Sequence, residues 1–143
     1  MKIYRNEKWK LVDEYYLVSN LGRWFSLKTM QIVKQHKNNS GYLRLDLPPS
    51  KPGFDRTHYF THIKVVEMFG DCKGNRIPPG ATSLFELGLS IDHIDGNKNN
   101  NLQSNLELVT HRENCLRIRN KPVIDNSIVR MQAKVLKELE NYF

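Results

Sequence analysis

One stretch of this chain, residues 91–114 (IDHIDGNKNNNLQSNLELVTHREN), constrains the fold more than any other. Apolar residues alternate along the approach to Asp92 and His93, an Asn-rich polar loop follows, and apolar residues resume at Leu106. Alternating apolar residues on both sides of a loop are typical of two strands, and a stretch rich in Asn and Gly favours turns. The sequence therefore predicts a strand, a long loop and a second strand.

A helix is predicted directly after the second strand. Thr110 and Glu113 have the spacing of a capping box, in which a hydroxyl and a carboxylate three residues later bind the first free N–H groups of a helix. The helix is therefore expected to begin at His111 and to carry Asn114 in its first turn. Such a unit can bring a carboxylate, an imidazole and a carboxamide together.

Asp92, His93 and Asn114 carry groups that hydrolysis of a phosphodiester requires. Water is a poor nucleophile, and a neutral imidazole with a pKa of about 6.5 can take its proton near neutral pH. A hard divalent cation on oxygen ligands can hold the negative charge that develops on the phosphate. Adjacent strand residues point to opposite faces, so Asp92 and His93 can share a site only if the strand ends or twists there. Gly96 and the Asn run are expected to end it.

The same segment resembles the HNH (ββα-metal) nuclease motif, in the version found in phage and intron-encoded homing endonucleases. The motifs DHxDGNKxNN, NLExVT and EN all fall in register. The resemblance implies that His93 is the general base and that Asp92 and Asn114 bind one divalent metal ion, Mg²⁺ or Mn²⁺. It also implies that Asn105, the central Asn of the motif, helps to hold the loop and to orient the base.

Structural roles compete with these assignments. The loop asparagines at 97 and 99–101 can serve only as turn formers, because Asn tolerates left-handed backbone angles and forms Asx turns. Asn105 can likewise staple the loop without a chemical role, and His93 can be a structural histidine. His111 is a rival to Asn114 for the metal position, although the first helical residue is expected to face solvent or phosphate.

The formal charge of +7 is unevenly distributed along the 143 residues. Basic side chains are in excess in residues 1–60 and 117–143, whereas acidic side chains are in slight excess in residues 61–116. Two basic flanks around an acidic centre suit a nuclease that binds DNA phosphates outside and a cation inside. The alternative is that a basic surface only keeps the protein soluble.

The first 57 residues are predicted to form short antiparallel strands. Residues 31–37 and 41–47 are expected to pair as a hairpin across an Asn-Asn-Ser-Gly turn. The motifs W-x-L-V, YYLVSNLGRWFSL and GYLRLDL resemble the modular segment that often precedes the HNH core of homing endonucleases. In those relatives the segment is a small, mostly β lobe that contacts DNA.

Candidate contacts to DNA phosphates are basic residues of this lobe and of the end of the motif helix. They are Arg23, Lys28, Lys34, Lys37, Arg44, Arg117 and Arg119. Such contacts add affinity without sequence choice. The aromatic residues Tyr15, Trp24 and Phe25 are interpreted as core residues rather than as platforms for DNA bases.

Residues 58–69 are predicted to change from strand to helix near Thr61, a candidate N-cap. Apolar residues at helical spacing follow it. His62 is interpreted as a packing or hydrogen-bonding residue rather than a metal ligand.

Cysteine usage indicates the cellular setting. Cys72 and Cys115 belong to no CxxC pair and cannot supply a four-Cys site, so no structural zinc is expected. Free thiols favour a reducing cytoplasm, in a bacterium or a phage-infected host cell. No stretch approaches the roughly 20 apolar residues that span a bilayer, and charged residues replace a signal-peptide core, so no membrane partner is expected.

These patterns predict an α+β protein in three parts: a basic β-rich lobe (1–57), an HNH core with a preceding helix (58–120), and a C-terminal amphipathic helix (121–143) for packing, DNA contact or dimerisation. The expected function is metal-dependent hydrolysis of double-stranded DNA, by a nicking monomer or by a homodimer that cuts both strands. The alternative is a catalytically silent DNA-binding accessory protein on the same fold. An RNA-directed nuclease is a third interpretation of the same residues.

Overall fold

The computed structural model describes residues 3–48, 58–78 and 83–120, and side chains up to residue 117. Within these ranges it contains nine short strands in three antiparallel sheets, together with two α-helices. The predicted α+β fold is therefore confirmed. The predicted C-terminal helix and the side chain of Arg119 lie outside the described residues.

The first sheet contains four strands in the order β1-β2-β3-β4: Trp9–Leu11, Tyr16–Ser19, Trp24–Ser26 and Gln31–Ile32. The turn between β1 and β2 is an Asx turn, because Asp13 Oδ1 accepts hydrogen bonds from the backbone N–H groups of Tyr15 and Tyr16 at 2.8 and 2.9 Å. Gly22 has a φ of +81° in the turn between β2 and β3. Glycine adopts this left-handed conformation without the steric cost that a side chain would add.

The second sheet contains β5 (His36–Lys37), β6 (Leu43–Asp46) and β7 (His58–Phe60). The single strand predicted for residues 31–37 is wrong, because β4 pairs with the first sheet and β5 with the second. Gln35 explains the break, since its side-chain Nε2 donates to the carbonyl oxygen of Gly22 at 2.8 Å. The side chain thereby ties the linker between the two strands to the first sheet.

Helix α1 spans Thr61–Phe69, one residue earlier than a Thr61 cap would allow. The prediction that Thr61 is the N-cap is wrong, because Phe60 occupies that position. The Thr61 hydroxyl is fully buried, accepts a hydrogen bond from Trp24 Nε1 at 3.0 Å and donates to Gln35 Oε1. The buried indole N–H of Trp24 has no access to water, so the Thr61 hydroxyl bonds to it rather than to the free N–H groups at the start of the helix.

The third sheet pairs β8 (Leu89–His93) with β9 (Leu106–Thr110), and helix α2 (His111–Asn120) follows at once. Two strands and a helix beginning at His111 are as predicted. Thr110 Oγ1 accepts the backbone N–H of Glu113 at 3.1 Å, which is the first half of a capping box. The Glu113 carboxylate lies against Arg117 instead, at 2.9 Å.

One hydrophobic core connects the three sheets and α1. Its fully or nearly fully buried members are Val18, Trp24, Leu45, Val65, Val66, Ile91 and Leu106. The N-terminal strands thus pack against the same residues that support β8 and β9. In the part of the chain that the structure describes, neither helix has the length and apolar character needed to span a bilayer.

Candidate active site

Strand β8 ends at the two residues that carry the predicted chemistry. Asp92 and His93 are 4% and 5% exposed, and they pair across the sheet with Glu107 and Leu106. The strand stops at His93, whose carbonyl oxygen accepts the N–H of Gly96 at 2.8 Å in a turn with a glycine φ of +75°. Because β8 ends there, the alternation of strand side chains does not continue past His93.

His93 is held by the loop that connects β8 to β9. Its Nε2 lies 2.8 Å from Oδ1 of Asn101, and both side chains are buried. The sequence placed Asn101 only among the turn-forming asparagines and gave no signal that separated it from its neighbours. The structure identifies it as a direct neighbour of the predicted base.

Asn105 ties the two ends of the same loop together. Its Nδ2 donates to Asp95 Oδ1 and to the carbonyl oxygen of Asn100, both at 2.9 Å. Its Oδ1 accepts the backbone N–H of Asp95 at 3.1 Å. Two of these bonds go to the loop backbone and one to the Asp95 side chain, which corresponds to the stapling role that the sequence left open for Asn105.

A network of charged side chains surrounds Asp92. Arg117 on α2 reaches Asp92 Oδ2 at 3.3 Å and Glu107 Oε2 at 2.6 Å, and Lys73 reaches the other Glu107 oxygen at 2.7 Å. Hydrogen bonds from Arg117 and Lys73 lower the pKa of Glu107 to about 2. The same bond to Glu107 raises the pKa of Arg117 further above its usual range. The network therefore keeps the Glu107 carboxylate ionised across the sheet from Asp92.

Asn114 lies on helix α2 with Arg117 three residues further on, so the two side chains lie on one face of the helix. Because Arg117 contacts Asp92, this face is directed at the end of β8. Asn114 is half-buried and lines a cavity of about 330 Å³ together with Ser90 and Ile91. The cavity brings Asn114 close to the strand that carries Asp92 and His93.

The opposite wall of this cavity comes from the N-terminal lobe and from α1. Asn38, Ser40 and Tyr42 line it, as does His62. Lys98, in the loop after β8, donates to the carbonyl oxygen of Ser40 at 2.7 Å and lies 4.6 Å from the centre of the Tyr42 ring. The cavity therefore lies between the N-terminal lobe and the segment that carries β8 and α2.

His62 is closer to the predicted base than the sequence suggested. Its ring stacks on Tyr42 with centroids 4.8 Å apart, and its centroid is 5.4 Å from that of His93. Burial, followed by the nearby His93, lowers the pKa of His62 to about 3, so the imidazole is neutral at physiological pH. Among the described residues, no group lies within hydrogen-bonding distance of its buried Nδ1. His62 thus packs as predicted, but directly behind the site.

His111, the rival for the metal position, is exposed at the start of α2. Its Nδ1 lies 3.1 Å from Ser90 Oγ and its Nε2 lies 3.7 Å from the sulfur of Cys115. Cys72 and Cys115 are both exposed free thiols.

The basic residues predicted to contact DNA differ in how much of their charge is already engaged. Arg23 forms a bidentate ion pair with Glu7, whose side chain is fully buried, and its guanidinium covers the ring of Tyr4. Arg44 lies 3.0 Å from Asp46, and Lys28 lies 4.1 Å from the centre of the Tyr15 ring.

Lys34 and Lys37 are both exposed on the short linker and strand that precede the Asn38 turn. Lys37 directly precedes Asn38, which lines the cavity.

Asp92 and Asn114 each carry an oxygen atom of the kind that a hard divalent cation binds. Asn114 lines the cavity, which has room for water and phosphate oxygens, whereas Asp92 is not among the lining residues and its Oδ2 contacts Arg117 at 3.3 Å. Within residues 3–48, 58–78 and 83–117, no three His, Cys, Asp or Glu side chains are grouped so as to hold a metal ion. A cation here would therefore take most of its ligands from water and substrate.

Comparison with known proteins identifies the family of this chain. A family model described as an HNH endonuclease matches residues 59–116, and a second, the NUMOD4 motif, matches residues 7–48. The DNA endonuclease I-HmuI of Bacillus phage SP01 is 30% identical over 131 residues, which cover 90% of this chain and 67% of that protein. A solved structure concerned with DNA binding and cleavage by the HNH homing endonuclease I-HmuI aligns with a TM-score of 0.59 and 30% identity, over 91% of this chain and 68% of that one. This chain therefore belongs to the HNH endonuclease family, and it is an enzyme that hydrolyses phosphodiester bonds.

Proposed function

We propose that this enzyme hydrolyses phosphodiester bonds of double-stranded DNA with one divalent metal ion, Mg²⁺ or Mn²⁺, held by Asp92 and Asn114, and with His93 as the general base. The observation that carries the proposal is the burial of Asp92 and His93, the last two residues of β8, next to Ile91, which lines a cavity together with Asn114. The relative I-HmuI, which aligns over most of the chain, is a DNA endonuclease.

Each residue has a defined task in this proposal. The imidazole of His93 takes a proton from the attacking water, and its neighbours hold the ring so that little reorientation is needed during the step. Asp92 and Asn114 would present oxygen atoms to the cation, and Arg117, which lies 3.3 Å from Asp92 Oδ2, orients the Asp92 carboxylate. When bound, the cation supplies positive charge to the scissile phosphate and to the leaving oxygen.

The DNA strand would approach past the exposed lysines of the N-terminal lobe. Lys34 and Lys37 precede the turn that forms one wall of the cavity, so phosphates bound by them would continue toward Asn114. The excess of basic charge in the N-terminal segment supports DNA binding through the backbone, which adds affinity without sequence choice. One site per chain favours a nick by a monomer, and a symmetric dimer would be needed to cut both strands.

Supercoiled plasmid incubated with Mg²⁺, Mn²⁺ or EDTA tests the proposal. We expect nicked circles with either metal and none with EDTA. His93→Ala is expected to bind DNA in a gel shift as tightly as wild type but to lose cleavage by at least 100-fold, within the range that a positioned general base contributes. His58→Ala is the matched control, because this exposed imidazole lies outside the proposed set.

The rival function, a catalytically silent DNA-binding protein, predicts a gel shift without nicking under any of these conditions. Cleavage that persists in His93→Ala would remove this residue from its proposed role. If RNA of the same sequence is cleaved faster than the DNA duplex, the substrate is RNA rather than DNA.

A further inference from the structure

We infer that Asn101 is the positioning residue of the His93 imidazole, and that the turn between β2 and β3 of the N-terminal sheet holds Asn101 in place. The inference rests on the proposed function, because it assigns a partner to the base proposed there. It gives the N-terminal segment a task in catalysis that is separate from DNA binding.

The hydrogen bond to Asn101 determines which nitrogen of His93 can act as the base. An amide carbonyl oxygen only accepts hydrogen bonds, so the 2.8 Å contact between Asn101 Oδ1 and His93 Nε2 requires a proton on Nε2. A neutral imidazole carries one proton, and its Nδ1 then keeps a lone pair. The contact therefore selects the tautomer in which Nδ1 is the basic atom.

Asn101 keeps this contact at an energetic cost. Its side chain is 4% exposed, and within the described part of the chain its Nδ2 group is buried without a hydrogen-bond partner. A buried amide that is half satisfied destabilises a fold relative to an apolar side chain of similar size. Packing alone would favour leucine here, so the polar side chain is explained by what its oxygen binds.

The N-terminal turn encloses Asn101 from the other side. A Cβ atom on Gly22 would lie 2.9 Å from the Asn101 Cβ and 3.0 Å from the backbone carbonyl oxygen of Asn101, which is closer than side chains pack. Gln103, two residues further along the loop, donates its backbone N–H to the carbonyl oxygen of Asn20 at 2.9 Å. The turn thus contacts the loop at Asn101 and again at Gln103, and these two contacts support the position of Asn101 beside His93.

The tautomer is measured directly by ¹⁵N NMR of the imidazoles in the full chain, with the His93 signals assigned by their loss in His93→Ala. We expect the wild type to show a protonated Nε2 and an unprotonated Nδ1, and Asn101→Leu to show a mixture of the two tautomers. A wild type with the proton on Nδ1 would overturn the inference. This measurement does not depend on cleavage, so it stands even if the proposed function fails.

Steady-state cleavage then separates positioning from binding. We expect Asn101→Leu to lower kcat by about 10- to 100-fold, the usual effect of removing a hydrogen bond that orients a functional histidine, with KM changed less than threefold. Asn101→Asp retains the acceptor oxygen, and its kcat is expected to be at least tenfold higher than that of Asn101→Leu. If Asn101→Asp is no better than Asn101→Leu, the oxygen is not the functional atom and the inference is wrong. If Asn101→Leu does not fold, two measurements still test the inference: the NMR tautomer of the wild type, and the cleavage activity of Asn101→Asp compared with that of Asn101→Ala.

Discussion

Removal of the Thr61 hydroxyl tests how the N-terminal sheet is joined to helix α1. Thr61 is fully buried and stands between Trp24 on β3, whose Nε1 donates to it, and Gln35, which accepts from it. Thr61→Val keeps the shape of the side chain but leaves both partners without this bond. Because Trp24 is also fully buried, its N–H cannot turn to water instead.

The magnitude follows from these two broken bonds. A buried donor left unsatisfied costs about 1–3 kcal/mol, and the half-buried Gln35 carbonyl recovers part of its loss through solvent. We therefore expect Thr61→Val to lower the free energy of unfolding by about 2–3 kcal/mol, a large share of the roughly 5–15 kcal/mol that stabilises a typical domain. Thr61→Ser keeps the hydroxyl and loses one buried methyl group, which costs about 1 kcal/mol.

Urea unfolding followed by tryptophan fluorescence measures both variants against wild type, since Trp24 reports directly on this contact. The order of stability is expected to be wild type, then Thr61→Ser, then Thr61→Val. If Thr61→Val is as stable as Thr61→Ser or more stable, packing of the methyl group decides the stability at this position. The hydrogen bonds of Thr61 with Trp24 and Gln35 would then contribute nothing measurable.

Three further predictions concern other buried or charged groups. His62 has a pKa of about 3 in the fold against about 6.5 for a free imidazole, so the unfolded chain takes up the proton first and stability falls as the pH decreases from about 6.5 toward 3. Between pH 6.5 and 5, wild type should lose about 2 kcal/mol more than His62→Gln in urea unfolding, and parallel curves would contradict this. Asp71→Ala should cost about 2–3 kcal/mol in the same assay, because the buried carboxylate accepts the backbone N–H groups of Leu108, Asn75 and Lys73, whereas Asp71→Asn should cost less. Replacing Lys34 and Lys37 together by Ala should reduce the slope of log affinity for DNA against log salt concentration by about 2, and an unchanged slope, equal to that of a Lys8→Ala control, would exclude them from phosphate contact.

The parts of the fold that sequence predicted are those decided by local interactions. Helix α2 begins at His111 because Thr110 can bind the N–H of Glu113 three residues away, and this information lies within four positions of the chain. The strands β8 and β9 follow from alternating apolar residues that face one core. In contrast, the Thr61 hydroxyl was assigned to a local cap, whereas it binds Trp24, which is 37 positions earlier.

The same limit applies to the candidate site. Asp92, His93, Asn105 and Asn114 were chosen from the sequence because the motif fixes their spacing, and their roles stay predictions. Asn101 could not be separated from the neighbouring asparagines, since only the loop conformation shows whose oxygen meets His93. Arg23 was grouped with the DNA contacts by charge alone, and its ion pair with buried Glu7, 16 positions away, becomes visible only when β1 and β2 pair.

The site is shared between the two segments that family comparison recognises separately. Residues 7–48 contribute one wall of the cavity through Tyr42 and enclose Asn101 through Gly22, whereas residues 59–116 carry the proposed base and metal ligands. Trp24 and Leu45 from the first segment are buried in the same core as Leu106 from the second, so neither segment could lose its partner without exposing that core. A substitution at Gly22 is therefore expected to disturb the support of Asn101 and, through it, the orientation of His93, although the turn itself belongs to the N-terminal segment.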